Sequence, residues 1–447
     1  MLYALLTTLL LGSRPVCGPL DLETTLALAA ERSAEVAIKN AEVAVARADE
    51  SIAGAMRVLP EAAATLVVGP AAEARGTVVS SPNSNRSFVG LGPFGRLDLQ
   101  VVQPLFTWGR LDAARDAAAA GVSAREDLVQ NATSQVQLRV VELYWGVSLA
   151  KRLLAISAEV ERALAAADRR VAGLLERGDG EVGPSDRYRL DLFRAIVRMM
   201  AAEAQKGLDL ARVGLAATLR LAPERLALQE APLDPRVAEL PDPGAPRAAA
   251  ERQRYDLRAL DAAMAARDFE VSAAEGARLP QVFLAGLFSY GYAPNRDIQL
   301  NPWVRDDFNV LNVGAVIGLR QDLSFPMLSA KVEKARVERD ALARQRDGLA
   351  LMVQVQVDTA LADLRAADAR LAAARAARGS GRALFRSVGL DFSAGLIEAK
   401  TLIEAYALYV ETQFAEARAA YDLLVARAKL DRAVGEPPRR GAACELP

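Results

Sequence analysis

Arg96-Leu97-Asp98-Leu99-Gln100-Val101-Val102-Gln103-Pro104-Leu105-Phe106-Thr107-Trp108-Gly109-Arg110 changes its period partway along. From Arg96 to Val101 polar and apolar residues alternate, which sets them on opposite faces of an extended chain. Past Trp108 the apolar residues instead recur every three or four positions in alanine-rich sequence, the period of a helix. A strand therefore leads straight into a helix expected over 108–177, which at 1.5 Å per residue would run to about 105 Å. Val136, Val140, Leu143, Val147, Ala150 and Leu154 step by 4, 3, 4, 3, 4 along it. That spacing averages 3.5 residues and predicts a supercoiled seam against a partner helix, expected over 185–221.

The same order of elements occurs twice. Ala29-Ala30-Glu31-Arg32 recurs as Ala249-Ala250-Glu251-Arg252, an offset of 220. Ala46-Arg47 and Ala266-Arg267 keep that offset, as do Leu59-Pro60 and Leu279-Pro280; Gln135-Val136 and Gln356-Val357 slip to 221. Two structural repeats are expected, over 19–222 and 247–435, joined by a Pro-rich segment over 223–246 and followed by a flexible tail over 436–447. Pro223, Pro232, Pro235, Pro241, Pro243 and Pro246 keep the joining segment from being one helix. Each repeat reads as a helix (22–57 and 247–277), two strands (61–69 with 94–105; 281–292 with 308–323), and a long helical hairpin. In the second repeat the hairpin helices are expected over 328–388 and 397–434. Ile403, Ala407, Val410, Phe414, Ala417, Tyr421 and Leu424 repeat the 4-3 spacing. Aromatic residues gather about the strands: Phe88, Phe94, Phe106, Trp108, Phe288, Tyr290, Tyr292, Trp303 and Phe308. Such a cluster suits either the interfacial girdle of a membrane barrel or packing at strand ends.

Composition narrows the function. The chain has 447 residues, 52% hydrophobic, only 5% aromatic and 25% charged. Much of the apolar share is alanine, the best helix former and a small one, so long helices that approach closely are expected. No histidine is present, which removes His-based nucleophile systems and His metal ligands. Cys17 and Cys444 stand near opposite ends, so no cysteine cluster holds a zinc. No cofactor or metal is expected, and the chain does not read as an enzyme. A net charge of −1 without a basic block gives no support to nucleic-acid binding. The apolar start, 1–18, is too short to span a bilayer and reads as a secretory signal peptide, although no Lys or Arg precedes its apolar run.

Four strands pose a physical problem. A sheet in lipid has to close, and the smallest barrels use about eight strands. Either the strands form a small soluble sheet or they complete a barrel shared between copies.

At this point the chain resembles the TolC family of outer-membrane efflux proteins, over about 20–435. Leu22-Glu23, Leu26-Ala27-Leu28-Ala29 and Ala34-Glu35 resemble the opening helix. Gln103-Pro104-Leu105-Phe106-Thr107-Trp108-Gly109-Arg110 resembles the strand-to-helix junction, and Ala277-Arg278-Leu279-Pro280 the entry to the third strand. Gln321-Asp322-Leu323-Ser324-Phe325 stands at the second junction without its Pro and Gly-Arg. The resemblance implies a mainly α fold with a membrane β-barrel part: a homotrimer with a twelve-stranded barrel in outer-membrane lipid, its helices crossing the periplasm as a hollow duct. It implies a passive conduit of a tripartite efflux or type I secretion system, whose partners are a periplasmic adaptor (membrane fusion) protein and an inner-membrane transporter.

The resemblance also directs attention to the hairpin turns as docking tips: Gly178, Gly180, Val182, Gly183 and Asp186 in the first repeat, Gly395, Leu396 and Ile397 in the second. Gly395 to Ala405 resembles the family's turn motif, with Thr401 at the usual acid and Glu404 one helical turn on; these two are the candidate periplasmic gate. An ordinary solvated helix residue is the alternative for Glu404. A periplasmic adaptor, or a soluble structural coiled-coil protein, remains the alternative for the whole chain.

Overall fold

Alanine-rich helices dominate the chain, and one sheet interrupts them. The computed structural model describes residues 18–58, 60–76, 85–177, 183–235, 242, 244–299, 301, 303 and 306–438. In the first half α1 (Leu22–Arg32) and α2 (Ala34–Val58) lead to β1 (Glu61–Arg75) and β2 (Asn85–Phe106), then to α3 (Arg110–Arg177) and α4 (Pro184–Leu219). In the second half α5 (Gly244–Gln253) and α6 (Tyr255–Gly276) lead to β3 (Gln281–Tyr292) and β4 (Val310–Arg320), then to α7 (Phe325–Ser393) and α8 (Ala399–Val434). The signal peptide expected over 1–18 lies, except for Gly18, outside the described residues, as do 439–447 of the expected tail.

The opening helix of each half is broken where one continuous helix was expected. In the first, Ser33 leaves helical geometry at ψ 133°, while its N–H still donates to the Ala29 carbonyl at 3.0 Å. In the second the break falls at Arg254, whose guanidinium is buried and needs partners that a regular helix does not supply. It donates to both Asp256 carboxylate oxygens, at 2.9 and 2.5 Å, to Gln356 Oε1 at 3.0 Å and to the Ala433 carbonyl at 3.3 Å. Gly435, at φ +86°, closes over this break: a Cβ there would lie 2.8 Å from the Arg254 nitrogen.

The chain divides into two compact units. One comprises Met1–Glu42, Arg125–Ala259 and Arg346–Pro447, the other Val43–Ala124 and Leu260–Gln345. In the first unit the expected seam is buried: Val136 and Val140 are fully enclosed, and Val147 and Ala150 nearly so. Gly214 of α4 lets Leu143 of α3 approach, since a Cβ would meet its methyl groups at 3.0 Å. Val353, Val357, Leu361 and Leu364 of α7 pack with Leu423 and Leu430 of α8 and with Ala250 and Leu257. Leu20 pairs with Leu228, which ties the residues just before α1 to the Pro-rich segment.

The second unit holds the sheet, four antiparallel strands in the order β1-β2-β3-β4. Strands β2 and β3 pair centrally, Asp98 opposite Ser289 and Gln100 opposite Leu287. The first hairpin extends past the expected ends, to Arg75 and back from Asn85, with a register shift after Ala72. Strand β4 stops at Arg320, three residues short of its expected end, because Asp322 and Ser324 already cap α7: the Ser324 N–H donates to Asp322 at 2.9 Å. That cap replaces the Gly-Arg of the first junction, where Trp108 and Gly109 turn the chain at φ +54° and +75°.

Candidate functional site

Three features present chemistry to other molecules: the faces of the sheet and the two hairpin ends. In register, Ala64, Leu66 and Val68 of β1 share a face with Leu97, Leu99 and Val101 of β2. Phe288 and Tyr290 of β3 continue that face, followed by Leu311, Val313 and Ile317 of β4. Leu66, Val313 and Ile317 are about 70% exposed or more, so this apolar face lies bare. The opposite face is more polar, with Thr65, Arg96, Asp98, Gln100, Ser289 and Asn312 beside the apolar Val67, Leu287 and Val316. There Arg96 pairs with Asp98 at 2.9 Å, and Ser289 donates to Asp98. Among the described residues the outer edge of β4 is unpaired, and that of β1 is met only at its far end, where Ala74 bridges to Arg296. Trp108, whose indole donates to the Pro280 carbonyl at 2.6 Å, and Phe106 form an edge-to-face pair where β2 meets α3.

The first hairpin end begins α4. Gly183 is its N-cap and Pro184 takes the first helical position. Asp186, buried, accepts the Gly183 N–H at 3.0 Å and pairs with Arg189 at 2.7 Å. Its carboxylate is thus committed to starting the helix rather than presented as part of a docking face. Gly178, Gly180 and Val182 lie outside the described residues.

The second end is a left-handed helix stop. Gly395, at φ +71°, donates to the Phe392 carbonyl at 3.1 Å, and Leu396 donates to the Asp391 carbonyl at 3.0 Å. This pair of bonds satisfies the last carbonyls of α7. Leu396 and Leu390, at the positions whose apolar contact commonly accompanies such a stop, are 74% and 71% exposed. Leu390 was not singled out from the sequence; its spacing six residues before Leu396 was the available signal. Ile397, expected to be as bare as Leu396, is half-buried. Thr401 and Glu404 are exposed on α8, while Ala399 and Ala405 on the same helix are buried.

The two ends sit side by side within the first unit. Val171 of α3, Leu190 and Phe193 of α4, Phe392 of α7 and Ala399 of α8 belong to one apolar cluster. Phe193 meets Tyr406 edge-on at 6.0 Å, and Phe385 meets the same tyrosine at 5.0 Å. Burial pushes the Tyr406 hydroxyl up to about 12, aided by the charge of Glu159. Arg194 ties α4 to α3, with Glu161 at 3.8 Å and Asp168 at 3.6 Å. Among the described residues no cluster of three or more His, Cys, Asp or Glu is placed to hold a metal, and no helix is long and apolar enough to cross a membrane.

This architecture, with long helical hairpins and four strands per chain, is that of TolC-type outer-membrane channels. The outer-membrane channel OprN superposes with a TM-score of 0.76 at 18% identity, over 94% of this chain and 90% of that one. The CmeC outer-membrane channel of Campylobacter jejuni gives 0.75 at 15% identity, over 94% and 87%. The open state of the MtrE outer-membrane channel of Neisseria gonorrhoeae gives 0.74 at 18%, over 94% and 89%. No family model matches the chain, and no curated relative does.

Proposed function

We propose that this chain is one protomer of a homotrimeric exit duct in the outer membrane, reaching into the periplasm and passing cargo without catalysing a reaction. The sheet carries this reading. Its bare apolar face, more polar opposite face and two edges open over most of their length fit a wall between lipid and water that other copies must complete. Two copies would supply eight strands and three would supply twelve, and the likeness to outer-membrane channels favours three.

The hairpin ends at Gly183 and at Gly395–Ile397, with Gly178, Gly180 and Val182, are the surface for a periplasmic adaptor, and an inner-membrane transporter supplies the energy. Bare Leu390 and Leu396 at a turn support the docking role, since a partner helix turn would bury them. Thr401 and Glu404, exposed one helical turn apart, are the gate of this reading. The two halves, 19–222 and 247–435, are structural repeats of one unit, which the repeated element order supports.

Changing Leu396 to Asp tests the scheme. Export should fail while an outer-membrane trimer, measured by mass in mild detergent, persists. Normal export would show that the tip lies elsewhere. A well-folded monomer for the unaltered chain would refute the duct itself.

A further inference from the structure

The segment after β3 does not leave the sheet. It runs from Tyr292 across β2 and bonds to β1, on the face that carries Arg96, Asp98 and Gln100. Gly92 shows which face, because a Cβ there would point into Asn295 at 2.4 Å, and Gly92 alternates in register with Arg96. Phe308 packs edge-on against Phe94 at 5.0 Å, and Asp307 approaches Arg96 at 4.0 Å, so positions 92, 94 and 96 are covered in turn. The far end of the segment is fastened to β1. Asn295 donates to the Ala71 carbonyl at 2.8 Å, Arg296 to the Ala72 carbonyl at 2.8 Å, and Asp297 accepts the Gly76 N–H at 2.8 Å and pairs with Arg75 at 3.3 Å. Arg296 also stacks over the Phe308 ring at 4.1 Å, and Asn309 holds the Ala293 and Arg296 backbone. Ala71 is sealed beneath this strap, and Ala293 at its start is buried as well.

Strand β1 begins beside α2 and β2 ends beside α3, so the strap stands at the end of the sheet farthest from the helices. We propose that residues 293–299 and 306–309 form an inward-folded constriction at the outer mouth of the duct, which limits the size of solute that passes. This rests on the duct reading: it assigns the polar face to the lumen and the strapped end to the cell exterior. Charged and amide side chains hold the strap against the sheet, and Gly92 is what makes room for its Asn295.

The test is thiol labelling of intact cells carrying Gln100→Cys in a Cys17→Ser, Cys444→Ser background. Gln100 lies on the polar face, deeper than the strap. With the strap intact, a small charged maleimide should label it and a bulky polymer-linked maleimide should not. Asn295→Ala with Arg296→Ala and Asp297→Ala should raise labelling by the bulky reagent at least about tenfold, because access through a rare opening scales with its population. Should that triple variant fail to assemble, Asp297→Ala alone should give a smaller rise in the same direction. Equal bulky labelling with and without the strap bonds would overturn the constriction, as would no labelling by either reagent in either background. A Leu99→Cys control separates the two claims: labelling there as fast as at Gln100→Cys would overturn the duct reading instead.

Discussion

Arg254 shows how one side chain dictates a backbone break. Its guanidinium is almost wholly buried, and it is paired to Asp256, bonded to Gln356 and capped by the end of α8. Burial alone would raise the Asp256 pKa, but the bonds and charge of Arg254 and the Leu257 N–H together hold it below its ordinary 3.8. A depressed carboxylate stabilises the fold fully above its unfolded value and loses that contribution as pH falls through its folded one. Asp256→Ala, which strands a buried charge, should cost about 3–5 kcal/mol at neutral pH. The gap between variant and parent in urea midpoint of the helical signal should narrow below about pH 4. A gap that stays constant down to pH 2 would show that the pair acts by packing rather than by charge. None of this was legible in the sequence: Arg254 follows an ordinary alanine-rich helix, and apart from Asp256 its partners lie about a hundred residues away or more. Asp186 was legible only by place. Its position in a turn pointed to docking, whereas the fold uses it to begin α4.

Among the elements, those with a strong period were read most closely. Alternation at Arg96–Val101 put Leu97, Leu99 and Val101 on one face and Arg96, Asp98 and Gln100 on the other, and the register agrees. Of the 4-3 seams, Val136, Val140, Val147 and Ala150 of α3 and Val410, Phe414 and Ala417 of α8 are buried, whereas Leu143, Leu154, Ile403, Ala407, Tyr421 and Leu424 are half-buried. Strand ends were missed where alternation lapses. Pro70 to Arg75 lacks it, and this stretch is extended by pairing with 85–93 and by the strap. Nor could the strap be read from the sequence, because it depends on Gly92 meeting Asn295, some two hundred residues on. The face assignment is tested by a neighbouring pair of changes. Leu99→Arg puts a charge on the bare apolar face and should cost roughly 2–4 kcal/mol near mid-membrane. Gln100→Arg, one residue along on the polar face, should be tolerated. Heat-resistant assembly on a detergent gel reads both, and equal behaviour of the two variants would mean the sheet has no lipid side.

For the molecule as a whole, what the single chain leaves uncovered is as informative as what it buries. Ile38, Val45 and Ile52 of α2 are all more than half exposed and stand seven residues apart, the same position of successive heptads. On α4, Leu192, Ile196, Met199, Leu210 and Val213 fall on one 4-3 repeat and are exposed as well. Lone exposed apolar residues need no explanation, but ordered stripes beside buried ones do. A closed ring of copies accounts for both the stripes and the open sheet edges, since each helix seam would find a neighbour as each edge strand does. Leu210 and Val213 lie well away from the start of α4, so changing them leaves the proposed docking ends untouched. Burying two such side chains contributes about 3–6 kcal/mol per interface. Leu210→Glu with Val213→Glu should therefore dissociate the proposed trimer at protein concentrations about a hundredfold or more above those at which the parent comes apart. Mass measurement across a dilution series in mild detergent gives the answer. A double variant that dissociates at the parent's concentration would place this stripe toward open solvent, and would leave the sheet edges as the sole demand for a neighbour.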